Sequence, residues 1–151
     1  MWNKIKPFVY FIALSLGIGA LSALLTKGNM NIYDEITVPP LAPPMWLFPV
    51  VWSILYILMG VGATFVYREN KSVPVVFYVQ LAVNFVWSII FFNLRAFLLS
   101  AIWLVLLIIL IRQKIQRFRL YDIRAAYLQY PYLAWCIFAL YLNVAIWWLN
   151  R

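Results

Sequence analysis

Long segments without a charged side chain dominate this sequence and leave it few possible folds. Five such segments follow one another, at residues 7–26, 45–67, 72–94, 96–112 (closed by Arg112) and 125–149. A helix of about 20 apolar residues is long enough to cross the hydrocarbon layer of a membrane. The sequence therefore predicts an all-α membrane protein, a bundle of five transmembrane helices, with residues 1–151 forming one domain.

The composition excludes an ordinary soluble domain and does not favour binding to nucleic acid. Apolar residues make up 67% of the chain and charged residues 11%, against about 45–50% and about 25% in soluble domains. The formal net charge of +8 comes from basic residues between the apolar segments rather than along one soluble face. Membrane lipid is the partner that this pattern predicts.

The distribution of Lys and Arg predicts how the bundle is oriented. The N-terminal tail, the turn after the second span and the 112–124 loop contain nine of the twelve Lys and Arg residues. Basic loops normally stay in the cytoplasm. We therefore expect the N-terminus and the 112–124 loop to be cytoplasmic. The fourth span is short for a membrane crossing unless the side chains of Arg112 and Lys114 extend to the membrane interface.

Few residues are suited to acid–base or metal chemistry. The chain has no histidine, its one cysteine (Cys136) has no partner in the sequence, and all four acidic residues lie outside the spans. We expect no metal site and no cofactor, and acid–base catalysis is improbable. Electron chemistry at aromatic side chains is the remaining route to a reaction.

Residues 27–44 form the longest polar interruption and are predicted to be a lid. Four prolines close together (Pro39, Pro40, Pro43 and Pro44) keep the second half of this loop extended. Connections of this length are often lids or binding loops. Tyr33 is the most plausible ligand contact in the loop, and an interfacial anchor is an equally good reading of it.

Helical spacing places aromatic and small residues on one face of the second span and of the fifth. The first face consists of Trp46, Pro49, Trp52, Ser53, Tyr56, Gly60 and Ala63, and the second of Tyr132, Trp135, Ala139, Leu142 and Asn143. Residues three and four apart share a face of a helix. We interpret the two faces as opposing walls of a pocket for a large flat ligand.

Two further patterns have open interpretations. Gln80, Asn84 and Ser88 form a polar row in the third span, with Trp87 and Phe91 beside it, and either hydrogen bonds between helices or ligand contacts would explain it. Hydrogen bonding between helices is favoured. In the first span, Ser15, Gly19 and Ala23 form a row of small residues that predicts close helix packing, either within the chain or at a dimer seam.

Three segments of the sequence resemble the TspO/MBR family of tryptophan-rich sensory proteins. They are PPLAPPMWLFPVVWSILYILMGVGA in the second span, VNFVWSIIFF in the third and PYLAWCIFALYLN in the fifth. The five-span layout extends the resemblance over the whole chain.

The resemblance implies a five-helix bundle in a bacterial cell membrane, often a homodimer, with a pocket below the first long loop. That pocket takes tetrapyrroles of the protoporphyrin type and drugs of the isoquinoline carboxamide or benzodiazepine type. The positions in this chain that match it are Tyr33, Pro43, Trp52, Asn84, Phe91, Trp135, Ala139 and Leu142. Family members have also been assigned cholesterol binding, but here Tyr141 is followed by no basic residue before Arg151, so the recognition pattern for that lipid is missing.

Three functions remain open at this point. The first is a tetrapyrrole-binding protein that degrades porphyrin in light and oxygen, with Trp52 and Trp135 as electron donors. The second is a transporter of porphyrins or other amphipathic molecules, which the absence of acidic residues in the spans disfavours. The third is a stress sensor in which ligand occupancy reshapes the lid.

Overall fold

The computed structural model describes residues 1–151, and every regular element in it is helical. The helices are α1 (Trp2–Thr26), α2 (Leu47–Asn70), α3 (Val75–Ser88), α4 (Phe97–Arg119), α5 (Ile123–Tyr127) and α6 (Tyr130–Leu149). Two short 3₁₀ turns, Lys27–Asn29 and Ile32–Asp34, lie in the lid, and a π-helical turn, Ile89–Asn93, continues α3.

Five helical segments are long and apolar enough to cross a membrane, so the predicted fold class is confirmed. They are Trp2–Asp34, Leu47–Asn70, Val75–Asn93, Phe97–Arg119 and Ile123–Leu149. The first begins before Pro7, which lies inside α1. The fifth is interrupted after α5, and its longer part, α6, begins with Pro131 in its first turn, where proline is well tolerated.

The fourth helix continues beyond the end of the predicted span. We expected it to end near Arg112, but α4 continues to Arg119, so most of the predicted 112–124 loop is helical. The extension is amphipathic: Ile111, Ile115 and Phe118 are buried at helical spacing, whereas Arg112 and Arg117 are exposed. Burial of this apolar stripe explains why the helix does not stop at the first charge.

Lys114 also differs from expectation. Instead of extending to the membrane interface, its side chain is fully buried against α6. Its ammonium nitrogen lies 4.8 Å from the centre of the Tyr132 ring and 5.9 Å from that of Phe118. Lys114 lies on the buried stripe of α4, so its side chain points into the bundle and not toward the surface.

The turn between α4 and α5 is fixed by a side-chain cap. The carboxylate of Asp122 accepts a hydrogen bond from the backbone N–H of Arg124 (2.8 Å) and pairs with the guanidinium of the same residue. Asp is a preferred residue at a helix N-cap because it satisfies an otherwise unpaired N–H. The hydrogen bond from the Arg124 side chain also holds the pKa of the Asp122 carboxyl below its usual value.

The helices pack as two close pairs, α1 with α2 and α4 with α6, and α3 packs on α4. Gly60 of α2 faces the backbone of α1 so closely that an added Cβ would lie 2.5 Å from the Cα of Ile12. Small residues permit this approach between membrane helices. The row Ser15, Gly19 and Ala23 turns inward as well, since Ser15 is buried and Gly19 packs on Tyr56, so it serves packing within the chain.

We expect Gly60→Ala to destabilise the protein by about 1–3 kcal/mol, because the added methyl group would press on the backbone of Ile12 rather than on a mobile side chain. Unfolding in detergent micelles, followed by circular dichroism, measures the effect. Gly17→Ala is the matched control, since an added Cβ there meets nothing within 4 Å. Equal stability of the two variants would contradict the close packing of α1 on α2.

Candidate functional site

A cavity of about 360 Å³ lies between α1, α2, the end of α3 and α6, directly below the lid. Its walls are mostly apolar, and none of the residues that line it is charged. The lining residues are Leu16, Gly19, Ala20, Ser22, Ala23, Thr26, Met30, Tyr33, Met45, Phe48, Pro49, Trp52, Ser53, Tyr56, Trp87, Ser88, Phe91, Phe92, Ala139, Leu142, Asn143 and Ile146. The volume falls within the range of about 300–1,000 Å³ usual for small-molecule sites.

Aromatic rings from α2 and α3 form one continuous surface of the cavity. The rings of Trp52 and Trp87 lie 6.4 Å apart, and Trp87 stacks on Phe91 with centroids 5.4 Å apart and planes 23° from parallel. Phe91 and Phe92 both belong to the π-helical turn. Such turns re-aim side chains within a helix and are frequent at functional sites. This surface offers flat ring faces to a planar ligand.

The first helix contributes small residues to the lining of the same cavity. An added Cβ on Gly19 would lie 2.4 Å from the ring of Tyr56, so this lining begins where α1 touches α2. Ala20, Ala23 and Thr26 continue it toward the lid. Small side chains leave room beside the aromatic rings.

Some polar groups of the lining have partners within the protein. Asn143 accepts a hydrogen bond from the indole N–H of Trp87 (3.1 Å) and donates one to the carbonyl oxygen of Phe97 (2.8 Å). The hydroxyl group of Ser53 donates to the carbonyl oxygen of Pro49 (2.7 Å). The hydroxyl group of Thr26 bonds to the preceding turn of α1. The structure has no group of three or more His, Cys, Asp or Glu side chains that could hold a metal ion.

A buried hydrogen-bonded chain supports the cavity from below. The Tyr56 hydroxyl group donates to Oδ1 of Asn84 (2.8 Å), and Nδ2 of Asn84 donates to the Tyr132 hydroxyl oxygen (2.7 Å). These three side chains come from α2, α3 and α6 and are almost fully buried. Asn84 therefore connects three helices and does not itself line the cavity. This is the bond between helices that the polar row of α3 led us to favour.

The lid is an ordered cap held by contacts to the turn at residues 93–96 and to the end of α6. Glu35 forms a salt bridge with Arg95, and Asn29 donates to Asn93 (2.7 Å). Ile32 is fully buried and anchors the middle of the cap in the core.

Two further contacts attach the proline-rich half of the lid. The side chain of Asn150 both accepts from the backbone N–H of Thr37 (2.8 Å) and donates to its carbonyl oxygen (3.0 Å). The Tyr141 hydroxyl group donates to the carbonyl oxygen of Pro40 (2.7 Å). These polar contacts, unlike Ile32, are exposed.

The structure brings together five of the eight residues that the sequence analysis assigned to the site. Tyr33, Trp52, Phe91, Ala139 and Leu142 all line the cavity. The other three, Pro43, Asn84 and Trp135, do not line it: Pro43 lies in the extended part of the lid and Asn84 lies beneath the floor.

Trp135 lies behind Phe48 rather than opposite Trp52. The rings of Trp135 and Phe48 meet edge to face with centroids 5.7 Å apart, and it is Phe48 that lines the cavity. The predicted pair of facing indoles, Trp52 and Trp135, is therefore replaced by the neighbouring pair Trp52 and Trp87. The indole N–H of Trp135 is buried and has no hydrogen-bond partner.

Sequence reasoning missed the contribution of α1 and did not assign Trp87 to the site. Both had a signal in the sequence. The row of Ser15, Gly19 and Ala23 predicted that another helix packs closely on α1. The cavity lies next to that contact, which Gly19 makes with Tyr56. Trp87 lies three residues beyond Asn84, on the same face of α3.

Comparison with known proteins agrees with this architecture. The model of the TspO/MBR family matches residues 11–149. Tryptophan-rich protein TspO of Chlorobaculum tepidum is 36% identical over 99% of this chain and 99% of its own length. Protein CrtK of Rhodobacter capsulatus is also 36% identical, over 94% of this chain and 91% of its own. The human translocator protein is 32% identical over 91% of this chain and 86% of its own. With its five-helix bundle and its aromatic cavity beneath a lid, this chain belongs to the TspO/MBR family.

Proposed function

We propose that this integral membrane protein binds a planar tetrapyrrole of the protoporphyrin type in the cavity below the lid. The observation that carries the proposal is the uncharged cavity lined by the rings of Trp52, Trp87 and Phe91 and by small residues of α1. Offset stacking on aromatic side chains adds about 0.5–1.5 kcal/mol per ring pair beyond the burial of apolar surface. Several rings that line one cavity therefore favour a large flat ligand over a flexible one.

The size of the cavity implies that the lid moves when such a ligand enters. A volume of about 360 Å³ lies near the lower end of the usual range for ligand sites. The polar contacts of the lid, such as the Glu35–Arg95 pair, are exposed and contribute little individually. Ligand occupancy that displaces the lid also supports a sensory role, since a ligand with unequal affinity for two lid positions shifts their populations.

A second candidate function, degradation of the bound porphyrin in light and oxygen, is favoured by the indoles around the site. Indole is readily oxidised among apolar side chains, so an excited porphyrin against Trp52 would take an electron from it and become open to attack by oxygen. Trp52 lines the cavity and lies 6.4 Å from Trp87. Trp135 would take part only through Phe48 or after that ring moves.

Other expectations from the resemblance remain proposals for this chain. The same cavity is the expected site for drugs of the isoquinoline carboxamide or benzodiazepine type, which also present flat rings. A homodimer, a bacterial cell membrane, and an N-terminus and α4–α5 turn on the cytoplasmic side also remain predictions.

We expect Ala139→Phe to weaken protoporphyrin binding at least tenfold, about 1.4 kcal/mol, because the new ring would occupy the cavity that Ala139 lines. Quenching of tryptophan fluorescence in detergent micelles measures the affinity. Ala82→Phe, on the exposed face of α3, is the control for an added ring outside the cavity. Full affinity in the Ala139 variant would place the ligand elsewhere.

Light-dependent loss of porphyrin absorbance in air is expected to slow severalfold in Trp52→Phe and less in Trp135→Phe. The order follows from the geometry, because Trp52 touches the cavity and Trp135 is screened by Phe48. Trp148→Phe, an exposed indole at the end of α6, is the control. Unchanged rates and products in both the Trp52 and the Trp135 variants would exclude these indoles as electron donors.

A further inference from the structure

The end of the bundle away from the lid is strongly basic. Eight exposed Lys and Arg residues lie there, against two acidic residues. At the lid end there are three basic residues and two acidic ones. No charged residue lines the cavity, so this surface is separate from the proposed ligand site. The eight basic residues are Lys4, Lys6, Arg68, Lys71, Arg112, Arg117, Arg119 and Arg124.

Within this basic end, Arg68 is held in a defined position at the corner where α1 meets α2. Its Nη2 donates a hydrogen bond to the carbonyl oxygen of Lys4 (2.6 Å), and its guanidinium carbon lies 4.5 Å from the centre of the Phe8 ring. The same corner is joined by the hydroxyl group of Thr64, which donates to the carbonyl oxygen of Pro7 (3.2 Å). A guanidinium has five N–H donors, so this one contact leaves most of them available to a partner.

Arg68 has no acidic partner in the protein. The two salt bridges of the structure belong to Arg95 and Arg124. The carboxylate next in the sequence, that of Glu69, is in neither of them. Arg124, by contrast, donates through Nε and Nη2 to the carboxylate of Asp122. An exposed guanidinium that is oriented and free of carboxylates is suited to a phosphate, which accepts two parallel N–H···O bonds from it.

The first turns of α1 add a second cation and an apolar surface to this corner. Lys4 lies four residues before the ring on which Arg68 stacks, so the two share a face of α1. Lys6 is about 200° further round the helix and lies on another face. Ile5 and Val9 are 43% and 51% exposed along the same stretch. A negatively charged head and a hydrocarbon chain would therefore both find matching surface here.

We propose that Arg68 and Lys4 bind the phosphate of an anionic phospholipid, whose acyl chains lie along the exposed apolar residues of α1. The inference does not depend on the proposed function, because the site lies outside the cavity. A lipid with a net negative charge is preferred to a zwitterionic one, since the ammonium of a choline head would meet like charges. Each Lys or Arg near an anionic membrane surface strengthens binding about fivefold.

Native mass spectrometry of the full-length protein released from detergent micelles measures the binding of single lipids. Phosphatidylglycerol, which is negatively charged, is compared with phosphatidylcholine of the same acyl chains. We expect the unchanged protein to prefer phosphatidylglycerol, and Arg68→Gln and Lys4→Gln each to lower this preference about fivefold. Circular dichroism of each variant checks its folding. Lys4→Gln changes only an exposed side chain and decides the outcome if the Arg68 variant is unstable.

Two matched variants separate a site from diffuse surface charge. Lys6→Gln removes an equally exposed charge from another face of α1. Arg151→Gln removes an exposed guanidinium that also stacks on an aromatic ring, 3.6 Å from the centre of Trp148, at the lid end. Retention of the lipid preference in both variants supports the proposal. A loss in either that equals the loss in Lys4→Gln overturns it.

Two further outcomes would also overturn the proposal. One is equal binding of the two lipids by the unchanged protein. The other is displacement of bound phosphatidylglycerol by an excess of soluble glycerol phosphate, which would identify a soluble anion rather than a lipid as the occupant.

Discussion

The arrangement of the bundle around its cavity depends on one buried amide. Asn84 divides its Oδ1 and Nδ2 between the hydroxyl groups of Tyr56 and Tyr132. These tyrosines lie on α2 and α6, whose backbones do not pack closely on each other. In an interior without water, leaving any of the three groups unpaired costs about 1–3 kcal/mol, so the helices keep their spacing and the space above them stays open.

Buried hydrogen bonds also fix the aromatic surface that faces the cavity. The indole of Trp87 is held by Asn143, which is held in turn by the carbonyl oxygen of Phe97 and the hydroxyl group of Ser100. A ring that is bonded at its edge cannot rotate into the empty volume beside it. The hydrogen-bonding groups of Asn143 are thus engaged within the protein, and a ligand would meet mainly apolar surface.

Much of the fold follows from where charges are absent in the sequence, and the exceptions have identifiable causes. Uncharged segments predicted five spans, because hydrocarbon excludes charge. The charges at Arg112 and Lys114 did not mark the end of the fourth helix, because a helix can continue past charges when one of its faces is still buried. Helical spacing placed Trp135 and Trp52 on inward-facing surfaces. Spacing predicts which way a side chain points, but it does not predict whether another side chain lies between it and the cavity. The ring of Phe48, interposed between Trp135 and the cavity, could not be predicted from either helix alone.

The contacts at the two ends of the cavity differ in a way that determines where it opens. Beneath the cavity the hydrogen bonds of Asn84 are buried, and breaking them would expose polar groups to an apolar interior. At the lid, the bonds to Asn150 and Asn93 are exposed, and water replaces each of them at little cost. Ile32 and Pro39 hold the lid by deep burial. Local opening follows the least stable contacts. On the proposed function, we therefore expect a ligand to enter where the exposed bonds of the lid break, while the helices below it remain in place.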